Sequence, residues 1–196
     1  MSSMADVAEM LEEIETDVRG ARWERVETQG REACARLASR AVVNQVAAVS
    51  LRRFQRELRS GVKHALKKGR ALGAIAIYFE YDLDNDWEGH FFLCAEYVPQ
   101  RELEAADEGE DWASDWMEVL PGPVQPEFAR IYASQGGFAE TPEQAGRTAF
   151  LVARTVASFG RAAEGLDTQG IAVCMAYHDQ SRILRIREEP DTALRS

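Results

Sequence analysis

The chain has 196 residues and a mass of 21.9 kDa, with 45% hydrophobic and 29% charged residues, which fits one soluble domain with a real core and excludes a disordered or collagen-like chain. Its 33 acids against 23 Lys and Arg leave a formal charge of −10, which argues against a nucleic-acid coat or a binder of anionic membranes. The three cysteines, Cys34, Cys94 and Cys174, are odd in number and widely spaced, so neither a disulfide framework nor a zinc site is written, and a reducing cytosol fits.

The opening residues, MSSMADVAEMLEEIE, place acids where a secretory signal needs a basic start and an apolar run, so no export is expected. The longest mostly apolar run, 71–79, is well short of the roughly 20 residues that cross a bilayer, so no membrane association is expected. Ser3 is placed to cap a helix in which Val7, Met10, Leu11, Ile14 and Val18 recur at spacings of three and four. Residues 20–41 are polar, hold Gly20 and Gly30, and read as a broken helical stretch. From about Ser50 to Lys68 a second amphipathic helix sets the apolar stripe Leu51, Phe54, Leu58, Val62 and Leu66 beside a basic one, Arg52, Arg56, Arg59, Lys63, Lys67 and Arg70.

Beyond Gly69 the period falls from 3.6 to 2, with Ile75, Ile77, Phe79 and Tyr81 alternating with Ala74, Ala76, Tyr78 and Glu80, as a strand requires. A second strand is expected from His90 to Val98, with 82–89 as the hairpin loop and Pro99 ending the ladder. The acids, Trp112, Trp116 and the Pro121-Gly122-Pro123 turn make 99–125 an irregular acidic excursion with one short helix near Trp112. Pro126 opens a short helix through Tyr132. Thr141-Pro142-Glu143-Gln144 is a capping-box start for a long helix to about Glu164, and Ile171–Tyr177 with Ile183–Arg187 reads as a second hairpin. The whole is a single α+β domain over 1–196: a mainly antiparallel sheet of about four strands in two hairpins, covered by amphipathic helices, with a helical part at 1–70.

Charge is unevenly spread. Residues 1–18 carry −6, residues 19–70 carry +10, residues 71–118 carry −13 and residues 119–196 carry −1. The negative segment holds three of the four tryptophans, and carboxylates around an indole suit a basic partner, steering it by charge and anchoring it by apolar burial. The candidate partner-binding residues are therefore Asp82, Asp84, Asp86, Trp87, Glu88, Asp107, Glu108, Glu110, Asp111, Trp112, Asp115 and Trp116. The competing reading closes those indoles over the core and neutralises the acids on the basic helix. That helix, 52–70, is the one candidate for nucleic acid, without an aromatic platform to support it.

Chemical motifs are sparse. The run Asp82-x-Asp84-x-Asp86-x-Glu88 invites a calcium reading, but Trp87 stands where an EF-hand needs glycine and Leu93 where it needs glutamate, so no metal site is assigned. No GxSxG, SxxK, GxGxxG or GxxxxGK[ST] occurs, so neither a catalytic residue nor a cofactor is assigned. Cys94 and Cys174 lie in apolar strands, where cysteine acts as a small hydrophobe. Of the three histidines, His90 begins one strand and His178 ends another. If those strands are neighbours, both rings share a sheet end with Asp179, which makes an enzyme or nucleotide-binding site there the alternative reading.

The favoured reading is a non-catalytic cytosolic protein that binds a basic protein, of undetermined oligomeric state. In layout the chain resembles small acidic α/β proteins of the bacterial toxin-immunity kind. That resemblance implies a protein that blocks a basic toxin by charge and shape. It covers layout alone and transfers no functional residue.

Overall fold

The structure is a computed structural model that describes residues 3–103, 113–134, 136–137, 140–180 and 182–188. Along the chain run α1 (Ser3–Arg19), α2 (Trp23–Leu37), α3 (Arg40–Ala47), α4 (Arg52–Leu72), β1 (Ala76–Asp82), β2 (Glu88–Tyr97), α5 (Gln100–Leu103), β3 (Ala113–Pro121), α6 (Pro126–Ala133), α7 (Pro142–Ala163), β4 (Ala172–Tyr177) and β5 (Leu184–Arg187). The strands form one sheet in the order β3-β2-β1-β4-β5.

The chain is α+β, and both expected hairpins form, β1 with β2 and β4 with β5. Two details differ from the sequence reading. The sheet has five strands, and its central pair, β1 with β4, is parallel. A parallel pair needs a long crossover, and α6 and α7 lie in the connection between β1 and β4. The extra strand, β3, lies inside what the sequence presents as an irregular excursion. Its alternation is interrupted where Cys94 faces Trp116 but Leu93 faces Glu118, which leaves Met117 as a bulge, and Asp115 beside it has φ +52°. The helix expected near Trp112 falls outside the described residues at its centre.

The helices pack on one sheet face, around α7. Thr141 and Gln144 form the expected capping box, each side chain bonded to the other's backbone N–H. Beyond it α7 is buried on nearly every side, so it must meet its neighbours with small residues. Gly30 shows how. A Cβ on Gly30 would stand 2.3 Å from the Ala153 Cβ, so glycine lets α2 lie directly on α7, and the broken helical stretch expected over 20–41 breaks at 20–22 and at 38–39. Trp23 likewise presses on Gly160, where a Cβ would stand 2.4 Å from the indole ring.

Most polar groups of α7 are matched, although the buried Arg147 Nε has no hydrogen-bond partner among the described residues. Thr155 donates to the Leu151 carbonyl at 3.0 Å, and the Arg154 guanidinium reaches the carbonyls of Val46 and Val49 at the end of α3 and pairs with Glu27. From the sheet, Phe79 stacks on Phe159 at 4.7 Å, with Ile77, Phe91, Leu93, Val173 and Met175 in the same core. The opposite sheet face carries a smaller cluster, Ala76, Tyr78, Phe92, Cys94, Ala172 and Cys174.

Gly30→Val would force α2 and α7 apart. The expected cost is about 1–3 kcal/mol, read as a lower urea midpoint with an unchanged slope.

Candidate interaction surface

The acidic loop between β1 and β2 is fixed from below. Leu83 and Trp87 are buried, while Asp84, Asn85 and Asp86 are exposed between them. Asp86 and Trp87 both have positive φ, +52° and +54°, a tight left-handed turn that swings the indole inward. There Trp87 Nε1 donates to Thr155 Oγ1 at 3.0 Å, and the ring meets Phe128 and Tyr132 edge-on at 5.7 and 5.8 Å. Trp87 is thus corrected from a partner-binding residue to a core residue, because its one polar atom and its whole apolar surface are already satisfied inside. Asp82 is half-buried and accepts the Asp84 N–H at 2.9 Å, and Glu88 accepts from the Asn85 amide at 3.1 Å. Burial, with Asp84 close by, pushes the Tyr132 phenol up.

The sheet end beyond this loop gathers a second set of groups. Glu80 of β1 accepts the Tyr78 hydroxyl at 2.8 Å and meets His178 Nδ1 at 3.2 Å. His90 stands opposite Glu80 in the β1–β2 register. The sequence places His90 and His178 at strand ends, and the structure brings them to the two sides of one carboxylate. The hydrogen bond that His178 donates to Glu80 holds its imidazole above its ordinary value, and Asp179 and Asp82 add to that field. Both rings are open to water, with side-chain exposures of 56% for His178 and 40% for His90.

Along the edge strand β3 the same sheet face turns apolar. Trp116 is 56% exposed and rests one side of its ring on Phe92 at 4.5 Å. Met117 and Val119, at 43% and 46%, extend the exposed apolar surface on that strand. Asp115 is exposed beside Trp116, Glu96 accepts the Ser114 hydroxyl at 2.8 Å, and Glu118 is taken up by Lys68 of α4. Asp84, Asp86 and Asp115 form no ion pair among the described residues. Asp107, Glu108, Glu110, Asp111 and Trp112 lie outside the described residues.

Three features of this surface have no functional role in the sequence reading: Glu80, the Tyr78 that orients it, and the apolar pair Met117 and Val119. Glu80 and Asp82 are the two acids on the outward positions of β1, a signal present in the alternation itself. Burial pushes the Cys94 thiol up to about 12 and the Cys34 thiol up to about 11, away from the reactive thiolate form. No family model matches the chain, and neither a curated protein nor a solved structure matches it.

His178 should titrate above about 6.5, and Glu80→Gln should bring its midpoint back down, as read from the imidazole resonances in an NMR pH series. Because the folded value is the higher one, the stabilisation from this pair is complete below the unfolded value and fades as pH rises through the folded midpoint. An unmoved midpoint in Glu80→Gln would remove Glu80 as the cause.

Proposed function

We propose that this chain is a non-catalytic cytosolic binding protein that recognises a basic protein through the Trp116 face of its sheet. The observation that carries the reading is the exposure of Trp116 beside Met117 and Val119, with Asp115 at their edge. A large indole left more than half in water is an anchor ready to be buried, and a carboxylate at its rim favours a cationic counterpart over an anionic one. β3 is also an edge strand of the sheet among the described residues, the position at which a partner's main chain adds a strand. Resemblance in layout to toxin-immunity proteins supports the same reading, with a basic toxin as the partner class.

The Tyr78–Glu80–His178 arrangement, with His90 across from it, favours a second reading, an acid/base site for a small molecule. Proton transfer in an enzyme works best where water is excluded, and the open position of both histidines supports the binding surface over the reaction site.

The test is capture from native cell extract on immobilised protein at low and high salt, with Trp116→Ser and Asp115→Lys alongside. A protein of high isoelectric point should be retained at low salt, released at high salt and insensitive to nuclease. Trp116→Ser should weaken the purified complex roughly 30-fold, the size of an interface hot spot. Equal retention by wild type and both variants would rule out this face.

A further inference from the structure

We propose that the groove between the starts of α4 and α6 binds a small molecule through a phosphate group. The groove, about 490 Å³, is lined by Arg52, Arg53 and Arg56 on one wall and by Val124, Gln125 and Glu127 on the other. Both helices begin there, and both begin without a side-chain cap, at Leu51 and at Gln125. The first backbone bond of α4 runs from the Gln55 N–H to the Leu51 carbonyl, so the N–H groups of Arg52, Arg53 and Phe54 precede it and have no partner among the described residues. Uncapped N–H groups at the positive pole of a 21-residue helix attract an anion.

Gln125 gives the second, independent observation. It is only 6% exposed, yet its side-chain amide makes no hydrogen bond among the described residues, and it lines the groove from the opposite wall. Its amide is not sealed from water, so an oxygen acceptor in the groove would take the place of solvent at that donor. The side-chain charges favour the same ligand. Arg53 is held by Glu57 at 2.7 Å, whereas Arg52 and Arg56, one turn apart, have no acidic partner among the described residues, and α4 has no acid in its first turn. Glu127 is the one opposing carboxylate left unpaired on the lining.

Phosphate fits this donor set better than a carboxylate does. Its oxygens point tetrahedrally, so one group can accept from the arginines and N–H groups of α4 and from the Gln125 amide facing them, while the two coplanar oxygens of a carboxylate address one wall. The groove ends before Lys63 and Lys67, the other unpaired cations of α4, so a ligand seated in it leaves that ridge untouched.

Inorganic phosphate and pyrophosphate are the probes, each against sodium chloride at equal ionic strength, followed by amide NMR and thermal melting. Saturable shifts should appear at the backbone amides of Arg52, Arg53 and Phe54 and at the Gln125 side chain, with a raised melting temperature. Arg52→Gln with Arg56→Gln should weaken binding at least tenfold, and so should Gln125→Glu, which keeps the shape and reverses the donor. Lys63→Gln with Lys67→Gln should leave it unchanged. Shifts that only follow ionic strength would overturn the proposal. So would equal weakening in the Lys63/Lys67 variant, or a single-stranded oligonucleotide whose footprint covers Lys63 and Lys67 and displaces pyrophosphate. Melting without added anion reads whether each variant is folded.

Discussion

The architecture depends on a helix with almost no solvent face. α7 is buried from Ala145 to Ala163 with few exceptions, so every neighbour must approach its backbone closely and every polar atom it carries needs an internal partner. The first demand explains why Gly30 faces Ala153 and why Trp23 lies on Gly160. The second links distant parts of the chain. Thr155 takes the Trp87 indole N–H, and Arg154 takes the carbonyls of Val46 and Val49, at and just past the end of α3. The surface loop 83–87 is thereby tied to the centre of the molecule, and with it the ends of β1 and β2 that carry Glu80 and His90.

The two described tryptophans of the acidic segment meet opposite fates for local reasons. Trp87 follows a left-handed turn over the crowded side of the sheet, and burying an indole of about 200 Å² contributes on the order of 5 kcal/mol of transfer free energy. Trp116 sits on the other face, on an edge strand, where Phe92 covers one side of its ring. Composition and charge are alike around both residues. What separates them is which sheet face the backbone presents them to. The acidic segment is therefore not one surface: part of it secures the core, and part of it faces water.

Elements governed by a single period were legible from the sequence. α1, α4 and α7 follow the 3.6-residue repeat, and β1 follows the alternation of a half-buried strand. The role of Gly30 was not legible because its reason lies in α7, more than a hundred residues away. β3 was illegible because a bulge at Met117 shifts its alternation partway along. The site was legible in halves. His90 and His178 could be placed at strand ends, but Glu80 between them depends on β1 lying between β2 and β4, and strand order is not written in any local pattern. Trp87 was misplaced for the same reason, since a loop residue shows its polarity in sequence and its contacts only in space.

The net charge of −10 also conceals how local the electrostatics are. α4 links the two charged features, with Arg52 at its start beside the groove and Lys68, near its end, holding Glu118 of β3. At 1.5 Å per residue these points lie about 24 Å apart along the helix. That is about three Debye lengths at physiological salt, where screening falls off over about 8 Å. Long-range steering near β3 is thus set by the acids of that edge, and the arginines at the start of α4 contribute little to it. An anion in the groove meets the uncapped helix poles and Arg52 and Arg56 at contact distance, where the overall negative charge has little say. A protein this acidic can therefore hold a cation-seeking face and an anion-seeking groove at once, because each is decided within one screening length of its own side chains.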